Sequence, residues 1–476
     1  MLCSEIRSQR KCGCERFETG RTKQTGLLPA FFSGKYACCC TLCSCSPCGF
    51  ANCSSRMGSA ESPSARPLSR GQFRVFTPIK LLAYVGIVPE SYSKWAEASG
   101  LKRIDIVYFD AGSGHRSAAK GLERALAAAR PDWSVRMVNV IDVFASNRQF
   151  HLIVRTGIAY FNWMLKREKI CDLKGLINLS LLLHDLLSFS GLREISLFWA
   201  EDPPDAVVSV TPMYNPALYR SVRLVNPHAV CITIPVDFEE VRSRYWFTPK
   251  MEQYYLIPTE RLEEQARKAG VPHSFIHRIS GMPIDPQFYE FSGTDTAKEV
   301  SVLGLDPGLP TGMASFGGQG SVLLIEIAER LARSDLKLNM IFLCGRQATV
   351  YKELSNLDTP YRKLVLSYSK ETPIHYHRLV DFVIGKPGSM TITEALVIRI
   401  PSIVIKSRGM RPVQRGNEEW VRKRGVGVIV DRMDELAPAV KDIIASHRYR
   451  QNAEREFHRG VFDAADLICQ LLEQKA

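Results

Sequence analysis

Leu379-Val380-Asp381-Phe382-Val383-Ile384-Gly385-Lys386-Pro387-Gly388-Ser389-Met390-Thr391-Ile392-Thr393-Glu394-Ala395-Leu396 decides the fold of this chain. The apolar run that opens it reads as a buried strand. Gly385, Pro387 and Gly388 then force a tight loop. Ser389 or Thr391 is placed to cap the helix that follows, and Glu394 lies inside its first turns. Strand, glycine-rich loop and helix N-terminus together make an anion site, because free N–H groups and the helix dipole point at whatever sits in the loop. A carboxylate one turn into the helix suits a sugar hydroxyl better than a phosphate. The stretch therefore reads as a place for the diphosphate and ribose of a nucleotide, with an ordinary capped turn as the plainer alternative.

Working outward, the same strand–loop–helix unit recurs. Residues 314–321 end a strand in the glycine-rich loop Gly317-Gly318-Gln319-Gly320, with a helix expected over 322–333. Residues 338–344, 401–405 and 427–430 are further strands, the first of them ending at Gly345-Arg346. Earlier in the chain, 104–109 is an apolar strand. Asp110-Ala111-Gly112-Ser113-Gly114-His115 is its loop, and 116–130 a helix rich in alanine and leucine. Strands are expected at 135–140, 206–210, 230–234 and 254–259, and a helix at 260–269. This βαβ rhythm predicts α/β architecture with parallel sheets. Two similar halves, 73–290 and 311–476, flank a polar Gly/Pro-bearing linker at 291–310. Open sheets bind ligands at the C-terminal ends of their strands, so the cleft between the halves is the natural site.

Residues 151–200 break the rhythm. Tyr160, Phe161, Trp163 and Met164 stand beside Lys166 and Arg167, the make-up of an interfacial helix; core helices look similar. The patch at 79–88 is a packed helix or an anchor. No stretch of about 20 apolar residues occurs, so no spanning helix is expected. Residues 1–72 read as a disordered, Cys-rich then Ser/Pro-rich extension, since ten of the fourteen cysteines precede residue 54 and the segment lacks a second well-spaced ligand pair with histidines for zinc. The other four cysteines are scattered as in a reduced protein. A net charge of +13 favours polyanionic partners, a nucleotide or an anionic membrane surface. Nucleic acid is not expected, because no basic stripe or binding motif is present.

Several residues carry candidate chemistry. His115, beside a glycine-rich loop at a helix N-terminus, can take a proton from an alcohol; otherwise it packs or caps. Asp237 ends a strand and can orient a base or bind a hydroxyl. Arg346 can reach a phosphate bidentately. Gln414-Arg415-Gly416-Asn417 follows a strand and can contact a sugar and phosphate, or is a turn with a cap. A Walker A loop, a nucleophile elbow and an Asp-x-Asp metal clamp are missing. Ser117 stands where a dinucleotide fingerprint wants Gly, which weakens a dehydrogenase reading.

Taken in order, Asp110-Ala111-Gly112-Ser113-Gly114-His115-Arg116, Thr233-Ile234-Pro235-Val236-Asp237, Ser280-Gly281-Met282-Pro283, Phe316-Gly317-Gly318-Gln319-Gly320, Cys344-Gly345-Arg346, Lys386-Pro387-Gly388-Ser389 with Thr393-Glu394-Ala395, and Gln414-Arg415-Gly416-Asn417 resemble the diacylglycerol glycosyltransferases. These include plant monogalactosyldiacylglycerol synthase and bacterial processive glucosyltransferases, relatives of the lipid II N-acetylglucosaminyltransferase. The resemblance runs from about residue 104 to 471. It implies a GT-B fold, two Rossmann-like doubly wound domains facing a cleft, and an inverting, metal-independent transfer of a hexose from a UDP-sugar to a lipid, diacylglycerol. It matches His115 to the family's base or acceptor-site His, and Asp237 to an acceptor-side Asp. Gly112 and Gly114 match the acceptor loop, and Gly388 and Ser389 the diphosphate loop beside Gly318 and Gly320. Glu394 matches the ribose carboxylate. Gln414 and Asn417 match the hexose segment, with Arg415 beside the phosphates, and Tyr368 lies near the uracil. No cofactor or metal is implied. The resemblance implies a peripheral membrane protein on the cytoplasmic side of a bacterial inner membrane, or at a plastid envelope in a plant or alga. Ser113 replaces a Gly, Pro387 stands where Ala is usual, and Gln414 where the plant enzyme has Glu, so galactose is not implied as the sugar. A polyprenyl or lipopolysaccharide acceptor for an N-acetylglucosamine-type transfer, or a UDP-sugar epimerase of the same fold, is the alternative.

Overall fold

The computed structural model describes residues 102–474, apart from 111–112, 168–174, 176, 179, 183–190, 291–294, 370–373, 407–410 and 457. The extension 1–72, the patch 79–88 and Gly112 lie outside the described residues, as do the side chains of Met164, Lys166 and Arg167.

Two six-stranded sheets carry the chain, and every strand pairing in them is parallel. The first comprises β1 (Arg103–Tyr108), β2 (Ser134–Asn139), β3 (Ala206–Ser209), β4 (Val230–Thr233), β5 (Tyr254–Ile257) and β6 (Ile276–Arg278), in the order β2-β1-β3-β4-β5-β6. The second comprises β7 (Thr311–Ser315), β8 (Asn339–Leu343), β9 (Arg362–Leu366), β10 (Phe382–Gly385), β11 (Ser402–Ile405) and β12 (Gly427–Val430), in the order β12-β11-β10-β7-β8-β9. Alternate residues of one strand feed opposite cores: Ala206 and Val208 enter one cluster, Val207 another. In the second sheet Phe342 and Ile384 enter one cluster, Ile341 and Val383 the other. With both faces covered by helices, the strands are unbroken apolar runs rather than alternating ones.

Strand order reverses once in each sheet. β1 leads to β2 on one side and then to β3 on the other; β7 leads to β8 and β9, and then to β10 on the opposite side. The loops after β1 and β3, and those after β7 and β10, therefore open crevices at the two switch points, where doubly wound sheets take ligands.

The expected strands are present, with ends moved by a residue or more. The strand opening the Leu379 stretch begins later, at Phe382, and β6 ends just before the Ser280-Gly281-Met282-Pro283 motif. β9 was not foreseen: Arg-Lys-Leu-Val-Leu is short, half-exposed and begins with two charges. The helix Thr296–Val302, capped by Asp295, lies within 291–310. The last helix, Gly460–Glu473, returns to the first half. Its Val461, Ala464, Ile468 and Leu472 join the cluster that packs beneath the helix Gly114–Ala129. Asp463 accepts a hydrogen bond from the Ser280 N–H at 2.8 Å.

That return depends on a close backbone approach. A Cβ at Gly460 would overlap the Gly281 carbonyl, whereas one at Gly157, inside the helix Arg148–Arg167, meets open space. Gly460→Ala should cost ~1–3 kcal/mol through overpacking. Gly157→Ala should gain ~0.5–1 kcal/mol through helix propensity. Denaturant midpoints at constant slope check both signs; a neutral Gly460→Ala would mean that the last helix does not press on 281.

Candidate active site

The first switch point is built around His115, the second residue of the helix Gly114–Ala129. Its Nδ1 lies 2.7 Å from the Val210 carbonyl, in the loop after β3. A carbonyl only accepts, so Nδ1 carries the proton and Nε2 holds the lone pair. The ring packs on Phe109 at 4.2 Å and stands 6.2 Å from Trp246. Burial pushes its pKa down to about 4, so the imidazole is neutral at pH 7. On the other side of Trp246, the indole Nε1 donates to Asp237 Oδ2 at 3.0 Å. Burial raises Asp237 to about 7, against the lowering by that hydrogen bond, and Glu239 adds to the rise. His115 and Asp237 thus share one wall of the crevice with Trp246 between them. No motif or periodicity points to Trp246, which sits in the irregular segment after β4.

The second switch point lies opposite. Gly317 and Gly320 have φ of 77° and 68°, and a Cβ at Gly320 would overlap the Cys344 carbonyl, so this loop admits only glycine there. Ser113 crosses from the first half to it: its Oγ is 3.5 Å from the Gly318 N–H, at the edge of hydrogen-bond distance. Gly114 faces Met390, and Tyr368 flanks Gly318. Arg346 lies 4.0 Å over the Tyr368 ring and donates to its hydroxyl at 2.8 Å.

Gly388 is the N-cap of the helix Ser389–Val397, with no side-chain cap. This corrects the expectation for Ser389 and Thr391. Ser389 is instead the first helical residue, and its hydroxyl donates to the Val236 carbonyl of the first half. Asn417 is buried and bridges three segments: Nδ2 donates to the Pro387 carbonyl at 2.8 Å, and Oδ1 accepts from the Phe238 N–H at 3.3 Å. Gln414, one turn earlier on the helix Arg411–Arg424, is buried with its Oε1 unpartnered among the described residues, as is Gln319 Oε1. Arg415 is exposed and ion-paired with Glu419 at 2.6 Å. Glu394 is 14% exposed, with His377 Nε2 at 3.9 Å. Burial, helped by Asp285, lifts its pKa to about 8. Among the described residues, no group of three or more His, Cys, Asp or Glu could hold a metal ion.

The helix Arg148–Arg167 borders the first crevice. Phe150, Val154 and Ile158 face the core, while Leu152, Tyr160 and Trp163 face out. Tyr160 and Trp163 are each 40% exposed and stack at 5.8 Å. Phe161, expected on this outer face, packs inward against both first-half clusters, because it follows Ile158 by three residues on the core stripe. Asn162 donates to the Asp110 carbonyl at 2.9 Å and so ties the helix to the His115 loop. No helix among the described residues is long and apolar enough to cross a membrane.

No protein-family model matches the chain. It is 26% identical over 272 residues to the processive diacylglycerol beta-glucosyltransferase of Bacillus subtilis (strain 168), covering 55% of this chain and 67% of that protein. It is 25% identical over 261 residues to the enzyme of the same name from Staphylococcus carnosus (strain TM300), covering 54% and 63%. The matched region thus spans about two thirds of the length of these relatives. Among solved structures, the glycotransferase of kitacinnamycin superposes with a TM-score of 0.50 at 16% identity, covering 78% of this chain and 99% of that one. The two parallel sheets, their paired switch points and these likenesses agree: the chain has the GT-B fold and is related to the diacylglycerol glycosyltransferases.

Proposed function

We propose that this chain is a peripheral-membrane glycosyltransferase that moves a hexose from a UDP-sugar to the hydroxyl of diacylglycerol. The observation that carries it is the pairing of a base with an anion site. A neutral His115, its tautomer fixed by Val210, stands beside Ser113, which reaches the glycine loop, and beside Gly114, which meets Met390 of a bare helix N-terminus. The names of the relatives supply the acceptor class.

In this reading the lipid hydroxyl enters beside Trp246 and gives its proton to His115 Nε2 as its oxygen attacks the anomeric carbon. Attack from the side opposite the diphosphate inverts that carbon. UDP leaves with the bonding pair. Its growing charge meets the N–H groups of the 317–320 loop and the first turn of the helix Ser389–Val397, which lack intrahelical acceptors. Because the Ser389 hydroxyl is committed to Val236, the backbone N–H of this residue does the work. Glu394 takes the ribose, Gln414 and Asn417 the hexose, and the Arg346–Tyr368 pair walls the base. Asp237 supports the proton transfer from behind Trp246. The departing charge needs no metal in this scheme.

His115→Ala should lower turnover by about 10²–10⁴, the contribution of a positioned base, while UDP affinity stays near that of the wild type. Turnover should survive chelator, and its acid limb should fall where Nε2 becomes protonated, near 4. Unchanged turnover in the variant, or full loss with EDTA reversed by magnesium or manganese, would overturn the scheme.

The acceptor stays in the bilayer, so the protein has to dock on it. Leu152, Tyr160 and Trp163 form the apolar face beside the His115 loop, and the positive net charge biases it toward anionic lipid. Flotation with anionic liposomes should show binding that weakens with salt. Tyr160→Ala with Trp163→Ala should cost ~1–2 kcal/mol of binding from lost apolar contact, with UDP affinity intact. Equal flotation of variant and wild type would place the docking surface elsewhere.

A further inference from the structure

Glu394 stands between two further titratable groups, His377 and Asp285. His377, at the end of the short helix Ile374–His377, is 6% exposed and brings Nε2 to 3.9 Å from the Glu394 carboxylate, a small side-chain rotation beyond hydrogen-bond distance. The Phe288 ring packs edge-on against the imidazole at 5.2 Å and holds it in place. Phe288 belongs to the segment Pro286–Tyr289, which lies between the two halves. Asp285, just before it, is buried and faces Glu394 electrostatically. Asp285 is neutralised by Arg124 of the helix Gly114–Ala129, which also bonds Gln287 Oε1 at 3.1 Å. Arg378 donates to the Gln287 carbonyl at 2.5 Å. The titratable groups set against Glu394 are therefore His377 on one side and Asp285, paired with Arg124, on the other. Arg124 is engaged by the 285–287 segment, and His377 Nε2 faces the Glu394 carboxylate at 3.9 Å.

We propose that His377 is a positioning residue for donor binding, holding the proton that Glu394 gives up when a ribose hydroxyl approaches. This rests on the donor-site reading above. A hydroxyl donates to a carboxylate far better than to a carboxylic acid. Buried as it is, and facing Asp285, Glu394 holds its proton up to about pH 8. A lone acid of this kind would have to release that proton to solvent before binding. With His377 Nε2 3.9 Å away, that proton has an acceptor inside the site. The bond that breaks is Glu394 O–H and the bond that forms is His377 N–H. No proton leaves the site, and the carboxylate is exposed to the ribose with an imidazolium behind it. Donor affinity is thereby kept level across the neutral range.

Calorimetry of UDP binding to the full chain tests this, at pH 7 to 9 and in buffers of different ionisation enthalpy. The wild type should release little proton on binding, with affinity nearly constant. His377→Gln, which keeps a hydrogen-bonding side chain but cannot take the proton, should release close to one proton below pH 8. By linkage it should lose affinity by up to about tenfold for each pH unit below that point. His377→Asn, a second neutral amide, should show the same slope. The titration of UDP itself contributes equally to all three proteins and cancels in the comparison. Glu394→Ala serves as the reference: it should bind UDP weakly with no such slope. If Glu394→Ala binds as tightly as wild type, the donor-site reading fails. If it binds weakly but both His377 variants keep the wild-type pH profile and proton count, that reading stands and the role of His377 is wrong.

Discussion

Residues 236–238 of the first half are held by side chains of the second, and the arrangement of the crevice depends on it. The Val236 carbonyl accepts from Ser389, and the Phe238 N–H donates to Asn417, which at the same time holds the Pro387 carbonyl. The Phe238 ring lies parallel to Trp420 at 4.7 Å. These are buried groups, and a buried backbone N–H or carbonyl left without a partner costs about 1–3 kcal/mol. The seam therefore fixes where the chain after β4 runs. Asp237 lies in the middle of it and is aimed at Trp246, and through Trp246 it is set beside His115. The 387–389 loop and the segment that carries Asp237 are thus positioned by one set of hydrogen bonds.

Close approach serves the same end elsewhere. Gly121 lets the helix Gly114–Ala129 lie against the Ile284 backbone, and Gly460 lets the last helix lie against Gly281. The first contact braces the helix that carries His115, and the second seats the last helix in the same core. A base whose helix is fixed at its flank keeps its Nδ1–Val210 bond, and with it the tautomer that leaves Nε2 available.

Much of this was legible in the chain. Parallel strands buried on both faces leave apolar runs, and the glycines of the 317–320 loop hold φ values that other residues avoid, so the two sheets and that loop could be read directly. Glu394 was placed on its helix, and His115 at its helix start, by spacing alone. The misses have a common cause. The role of Ser389 depends on a carbonyl 153 residues away, the inward turn of Phe161 on two cores that meet at its helix, and the company of Glu394 on Asp285 and His377 from separate segments. Local periodicity carries no information about such partners. The return of the helix Gly460–Glu473 is of the same kind: its apolar stripe shows that it packs, but not on which half.

The electrostatics of the crevice then follow from burial. A diphosphate brought near ionised carboxylates would be repelled, yet two acids lie close to the loops that would hold it. Burial raises both, Asp237 to about 7 and Glu394 to about 8, and the same burial keeps His115 neutral. Near pH 7 the desolvated wall thus carries less negative charge than two free carboxylates would, Glu394 holding its proton and Asp237 about half ionised, and the favourable field comes from fixed N–H groups at the 317–320 loop and the helix Ser389–Val397. Such dipoles need no counter-ion and no reorganisation when charge develops on a leaving group. In the proposed reading, a Glu394 charge that forms against a donating hydroxyl keeps such a site compatible with an anionic donor.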